Sequence, residues 1–203
     1  MSFVSAVLIA AGESSRMGRP KPLLPWHGMP LIEYQIANLI DSGVSDVVVV
    51  VGHQHDSVIP HIAAHGVRHV LNLNYREGKT SSIKAGIHSL ALRTTSILLL
   101  AVDQPRPSGI IQKVVNSHLN NDALITSPRC AGKGGHPLVF SSALRTELES
   151  ITEEGHGVRE VLLKHDAEIH QVQINDPIIK LDINTPKSYN EAVKRYRTRS
   201  TNN

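Results

Sequence analysis

The chain has 203 residues, 40% of them hydrophobic and 19% charged, which fits one domain with a substantial core and excludes a disordered or membrane-spanning composition. A formal charge of +3 is mild, and with one Trp, two Phe and four Tyr there is little aromatic surface for stacking nucleic-acid bases, although the tail carries Lys194, Arg195, Arg197 and Arg199. The single cysteine, Cys130, excludes an internal disulfide framework and fits a reducing compartment.

In chain order, an apolar run from Phe3 to Ala11 predicts a buried strand that breaks at Gly12. Gly12 to Leu24 then forms a small, polar segment with Ser14, Ser15, Arg16, Gly18, Arg19 and Lys21. Leu31 to Ile40 has helical spacing, with Gly43 as its stop. Val47 to Val51 is β-branched without alternation, as in a strand buried on both faces of a parallel sheet. Gly52-His-Gln-His55 leads into a short helix through His65, Val67 to Leu73 returns as a strand, and Ser81 to Leu92 is helical by pattern.

Ser96 to Val102 predicts another buried strand, stopped by Asp103-Gln-Pro-Arg-Pro107. Ser108 is a candidate cap for a helix to Leu119, and Asp122 to Thr126 is the next strand. The order β-α-β-α-β-α-β-α-β predicts an α/β fold with a doubly wound, mostly parallel sheet. Beyond it, Ser127 to Gly135 reads as loop, Leu138 to Phe140 as a short strand, and Ser141 to Ile151 as a helix with Ser142 as a possible cap. Val158 to Lys164 is a helix, Ile169 to Ile174 a half-exposed strand, Ile178 to Ile183 an apolar run, and Asn184-Thr-Pro186 opens a last helix through Arg195. The expectation is one domain over residues 1–203, with a disordered basic tail from about 196 to 203. No apolar stretch approaches the roughly 20 residues that span a bilayer, and the N-terminus lacks a basic n-region. A cytoplasmic protein with neither membrane nor nucleic-acid partners is therefore expected.

The Gly12–Leu24 loop suits a polyphosphate: glycines let the backbone approach the anion, and Arg and Lys balance its charge. It is not a Walker loop, since five residues separate Gly12 from Gly18 and Arg-Pro follows. Nor is it a dinucleotide loop, since Ser14 replaces the second glycine. Ligands of open parallel sheets bind beyond the carboxyl ends of the strands. Asp103-Gln104 and Asp182 with Asn184 fall at such ends, where an acid facing a cationic loop can hold Mg2+ beside phosphates. Asp103 as a helix cap and Asp182 as a turn residue are equally open readings. Glu77-Gly-Lys-Thr80 lacks the first Walker glycine, His61-Ile-Ala-Ala-His65 lacks the glutamate of zinc peptidases, and no spacing supplies Cys130 with a base. All three are set aside.

Leu8-Ile-Ala-Ala-Gly-x-Ser-x-Arg-Met-Gly-x-x-Lys-x-Leu-Leu24 resembles the signature loop of MobA-like nucleotidyltransferases, the molybdenum cofactor cytidylyltransferases in particular. Asn74 through Ser82 with Gly78, Ser81 and Ser82, then Asp103-Gln-Pro105, Gly135-His-Pro137 and Leu181-Asp-Ile-Asn-Thr-Pro186, resemble further motifs of that family in the same order. The resemblance implies a Rossmann-like nucleotidyltransferase that uses Mg2+, joins a nucleoside monophosphate to an acceptor phosphate and releases pyrophosphate. It implies a nucleotide site at Ala10, Ala11, Gly12, Glu13, Ser14, Ser15, Arg16, Gly18, Lys21, Asn74, Gly78, Ser81 and Ser82, with Arg16 on the β- and γ-phosphates and Lys21 on the α-phosphate.

It further implies a metal at Asp103 with Asp182 or Asn184, and a molybdopterin-type acceptor at Gln104, Gly134, Gly135, His136 and Arg159. Asn184 stands where the family has an acid, although related guanylyltransferases also use Asn there. The Ala10-Ala11-Gly12 form resembles the cytidylyl branch, so the expected nucleotide is CTP, with GTP as the alternative; a molybdoenzyme would receive the product. A sugar or polyol phosphate acceptor, and a non-catalytic molybdopterin carrier, are the other readings.

Overall fold

The computed structural model describes residues 2–196. Its centre is an eight-stranded mixed sheet. The principal strands are β1 (Val4–Ala10), β2 (Asp46–Val51), β3 (Arg68–Leu71), β4 (Ser96–Ala101), β5 (Ile125–Cys130), β6 (Leu138–Ser141) and β7 (Ile169–Gln173), with a two-residue strand, Lys133–Gly134, added to β5. Their spatial order is β7-β5-β6-β4-β1-β2-β3. Neighbours are parallel except at β6, which runs antiparallel to both β4 and β5. The helices are α1 (Leu31–Asp41), α2 (His55–Ala63), α3 (Lys79–His88), α4 (Ser108–Asn120), α5 (Arg145–Ser150), α6 (Val158–Lys164) and α7 (Pro186–Tyr196).

Alternation along β1 divides the core. Ala6, Leu8 and Ala10 face a layer that includes Ile36 of α1, Ile62 of α2, Val114 of α4 and Ala192 of α7. Val7, Ile9 and Ala11 face the opposite layer, with Ile87 of α3, Leu148 of α5 and Val161 of α6. Helices thus cover both faces, and the near-continuous apolar runs of β1, β2 and β4 follow from that double cover. The strand order turns between β1 and β4, which places the loops after those two strands over the same crevice.

The differences from the sequence expectations are local. Strand β5 extends to Cys130, where a loop was expected, because β7 and Lys133–Gly134 pair with it. Helix α3 begins at Lys79, two residues before the expected start, directly after Gly78 at φ 114°. Pro107, not Ser108, occupies the cap position of α4, and the Ser108 amide donates to Asn38 Oδ1. Ser141 rather than Ser142 caps the segment before α5, accepting from the Ala143 amide. Pro177–Lys180 is a 3-10 turn within the apolar run that begins at Ile178. Tyr196 ends α7 and is buried, so it does not belong to a loose tail; the rest of that expected tail, residues 197–203, lies outside the described residues. No helix among the described residues is long and apolar enough to cross a membrane.

Candidate functional site

Two cavities open at the carboxyl ends of β1 and β4. The smaller, about 260 Å³, is lined by Ala10, Gly12, Ser14, Lys21, Tyr75, Gly78, Lys79, Ser82 and Asp103 among others. The larger, about 680 Å³, includes Gln104, Gly134, Gly135, His136, Arg159 and Asp182. Ile9, Lys79 and Ala101 line both, so the cavities adjoin.

The loop after β1 is shaped by Ser14 and Gly18, both in the left-handed region at φ 55° and 69°. Ser14 Oγ accepts the Lys21 amide at 3.0 Å and so turns the loop back on itself. The Lys21 ammonium lies 2.7 Å from Asp103 Oδ2 and 2.8 Å from Asn184 Oδ1. Three segments far apart in sequence therefore converge on one positive charge. Asp182 takes a different partner: its Oδ1 accepts from Gln104 Nε2 at 2.8 Å. The Asp103 carbonyl accepts the Ile183 amide, which ties the 182–184 segment to the end of β4.

Buried polar groups support this arrangement. Gln35 of α1, fully buried, donates to the carbonyls of Ala101 and Gln104 and accepts the Arg106 amide. Gln104 Oε1 accepts the Ala101 amide, so both ends of that side chain are engaged within the fold. Arg106 is fully buried and donates to the carbonyls of Pro105, His136, Ile179 and Leu181. Burial lowers its pKa to about 10, against the raising influence of Asp182 first among its neighbours; it stays protonated near neutrality. A buried guanidinium surrounded by carbonyls is a fastening between loops.

On the far side of the smaller cavity, Asn72 is the organising residue. Its Nδ2 donates to Ser81 Oγ and Ser82 Oγ, each at 2.9 Å, and its Oδ1 accepts the Asn74 amide. Ser81 Oγ donates in turn to the carbonyls of Asn74 and Gly78. Asn72 is buried whereas Asn74, the sequence candidate, is exposed. The missed signal was an Asn directly after β3, at a strand's carboxyl end. Gln35 and Arg106 were missed as well.

Of the predicted nucleotide residues, Ala10, Gly12, Ser14, Lys21, Gly78 and Ser82 line the smaller cavity; Ala11, Glu13, Ser15, Arg16, Gly18, Asn74 and Ser81 do not. Glu13 accepts from Arg76 Nε at 3.2 Å, and Arg16 is exposed on the loop. Ala11 is buried: a Cβ built on Gly52 would approach its methyl at 2.9 Å and Tyr75 Cβ at 2.9 Å, so the close packing here requires glycine. All five predicted acceptor residues line the larger cavity. The Gly135 and His136 amides, however, donate to the carbonyls of Pro128 and Ile179, which removes them as free donors. A Cβ at Gly135 would also overlap the Ile179 carbonyl. Burial, then the charges of Arg106 and Lys79, lower the His136 pKa to about 3, so its imidazole is neutral near pH 7. The peptide bond that follows it, to Pro137, is cis.

The residues set aside in the sequence stay outside both cavities, Gly78, Lys79 and Thr80 excepted. His61 pairs with Glu33 at 2.6 Å, and no group of three or more His, Cys, Asp or Glu among the described residues is placed to hold a metal ion. Cys130 is buried. Of the residues expected at a metal, Asp182 faces Gln104, and the two that converge are one carboxylate and one amide oxygen, Asp103 and Asn184. They already share a cation, and with phosphate oxygens and water they match the oxygen-rich, incomplete protein shell that Mg2+ takes beside nucleotides.

A family model described as MobA-like NTP transferase domain matches residues 6–169. The chain is 30% identical over 190 residues to nicotine blue oxidoreductase of Paenarthrobacter nicotinovorans, covering 90% of this chain and 92% of that one. It is 29% identical over 200 residues to molybdenum cofactor cytidylyltransferase of Escherichia coli K12, covering 97% and 98%. In structure it is similar to a nucleotidyl transferase from Methanothermobacter thermautotroptrophicus, with a TM-score of 0.83, 23% identity, and 99% and 100% of the two chains covered.

Proposed function

The chain belongs to the MobA-like NTP transferase family, and from that premise we propose that it transfers CMP from CTP to a molybdopterin-type acceptor, with Mg2+, and releases pyrophosphate. The observation that carries this reading is the Lys21 ammonium shared by Asp103 and Asn184 beside two adjoining cavities. Phosphate chemistry needs a mobile cation next to a metal-binding acid, and a second compartment for the attacking phosphate.

In this reading the smaller cavity receives the nucleotide and the larger the acceptor. Asp103 and Asn184 hold the divalent ion, which supplies charge neutralisation to the triphosphate when bound. Lys21, released from the acid, moves to the α-phosphate, where negative charge grows as the acceptor oxygen attacks. Arg16 meets the β- and γ-phosphates, and Gln104 restrains Asp182 rather than contacting the acceptor. The acceptor O–P bond forms as the bridging P–O bond breaks, and the electron pair leaves with pyrophosphate. No covalent enzyme intermediate is required.

The choice of CTP is supported by the Ala10-Ala11-Gly12 form and by likeness to the Escherichia coli cytidylyltransferase. Any effect of Ala11 on the base would pass through its buried contact with Gly52. The relative named an oxidoreductase favours a second reading. A cation held between an acid and an amide suits phosphate transfer better than hydride transfer, and one experiment separates the two. Pyrophosphate release is measured with each of the four common NTPs, with molybdopterin or methylerythritol phosphate as acceptor, with and without Mg2+. Release confined to CTP, molybdopterin and Mg2+ is expected. Release with GTP alone would move the chain to the guanylyl reading, and none in any combination would overturn nucleotidyl transfer.

A further inference from the structure

Lys79 lies in the Glu77-Gly-Lys-Thr80 stretch that fails as a Walker motif, and the family resemblance assigns it nothing. It opens α3 and lines both cavities; the other two shared lining residues, Ile9 and Ala101, are apolar. Among the described residues its ammonium has no hydrogen-bond or ion-pair partner. The nearby Glu153 carboxylate is engaged instead by the amide and hydroxyl of Thr80, at 2.6 and 2.7 Å. Lys21, the cation of the smaller cavity, is held between Asp103 and Asn184. Asp182 is held by Gln104. Arg159 and Lys180 line only the larger cavity. Lys79 is thus the charged group that stands at the boundary.

We propose that Lys79 is a catalytic residue of the transfer, binding the acceptor's phosphate and drawing it against the nucleotide's α-phosphate. The proposal rests on the reading of the two cavities as nucleotide and acceptor sites. Two anions must come into contact in this reaction, and their repulsion is relieved by a cation that reaches both. A lysine has the flexible stem and three rotatable donors to do so. The ammonium acts by charge and orientation, and takes no part in proton transfer. Its field already reaches the acceptor side, where it helps to lower the pKa of His136 and, after the two Thr80 bonds, that of Glu153.

The test compares wild type with Lys79→Met and Lys79→Arg in steady-state pyrophosphate release with CTP, molybdopterin and Mg2+. Lys79→Met should lower kcat/KM for the acceptor about 100-fold, the scale of losing one charge-stabilising donor. The KM for CTP should stay within about threefold, and Lys79→Arg should recover at least about a tenth of the lost rate. An unchanged kcat/KM for the acceptor, or a loss confined to the KM for CTP, would overturn the proposal.

A second arm needs no turnover. Inorganic phosphate, the fragment common to phosphate monoester acceptors, is titrated into both proteins by calorimetry. Wild type should bind it, and Lys79→Met should bind at least about fivefold more weakly, the scale of one charge-assisted contact. Equal affinities, or no binding to wild type, would count against Lys79. Wild type that binds phosphate through Lys79 yet releases no pyrophosphate with any NTP would overturn the transferase reading alone.

Discussion

The Lys21 ammonium and the Asp103 carboxylate form an ion pair at 2.7 Å, with the lysine side chain only 15% and the aspartate side chain 22% exposed. The pair joins the loop after β1 to the end of β4, 82 residues apart in sequence. Both partners have work elsewhere in the proposed reaction, the lysine at the α-phosphate and the acid at the metal. In that reaction the pair must part before either residue takes up its role.

It follows that Lys21→Met should tighten Mn2+ binding in the absence of nucleotide, because the metal no longer competes with an ammonium for Asp103. Manganese titration followed by electron paramagnetic resonance should show several-fold higher affinity. The same variant should lose kcat by about 100-fold or more with CTP affinity little changed, since its interaction strengthens in the transition state. Weaker Mn2+ binding would contradict the competition.

Asn184 and Asp182 should behave differently. Asn184→Ala removes a group that faces the shared cation and should weaken Mn2+ binding at least about tenfold. Asn184→Asp should preserve or strengthen it. Asp182→Ala removes the oxygen that accepts from Gln104, so its effect should appear mainly as a raised KM for the acceptor. Equal losses of metal affinity in both variants would remove the distinction.

Arg106 carries no substrate in this account, yet it fastens the 136, 179 and 181 carbonyls around the larger cavity. Arg106→Met takes the guanidinium from the His136 and Leu181 carbonyls, while Ile179 keeps the His136 amide, and should cost on the order of 3 kcal/mol in urea unfolding. Lys should not rescue it, because one ammonium cannot reproduce the planar fork. A fully stable Arg106→Met protein would show that the fastening is dispensable.

Acid should destabilise the fold through two histidines, His118, which is buried, and His136, which is partly buried. Burial is the main cause that lowers His118 to about 4 and His136 to about 3, from 6.5. The unfolded chain takes up protons below about pH 6.5 that the folded chain refuses. Stability is thus fully present above pH 6.5 and lost as pH falls towards 4, by up to about 1.4 kcal/mol per pH unit for each histidine. His118, bonded to Thr126 Oγ1 at 2.9 Å, is the cleaner test. In urea titrations from pH 7 to 4, His118→Gln should lower the slope by close to one proton, and an unaltered slope would contradict the assignment.

The alternating order of strands and helices, the cationic loop and Asp103 were legible because each is a local pattern: an apolar run, a glycine break, an acid at a strand end. The supporting shell was not. Gln35 sits between Ile32 and Ile36 on a helix face that reads as core, and its partners Ala101 and Gln104 are 66 and 69 residues away. Asn72 and Asn74 look alike in sequence, and only the turn back to Ser81 and Ser82 distinguishes the one that organises the site. The Gly135 and His136 amides are taken up by the Pro128 and Ile179 carbonyls, of β5 and the Pro177–Lys180 turn, which no local pattern announces.

The most direct test of the central claim is to identify the product. The protein is incubated with CTP, molybdopterin and Mg2+, and the pterin is recovered and weighed by mass spectrometry alongside an Asp103→Ala control of verified fold. The account predicts that the pterin gains one CMP for each pyrophosphate released, and that the Asp103→Ala protein forms none. An unmodified pterin from the wild-type reaction, or equal CMP transfer by the Asp103→Ala protein, would contradict it.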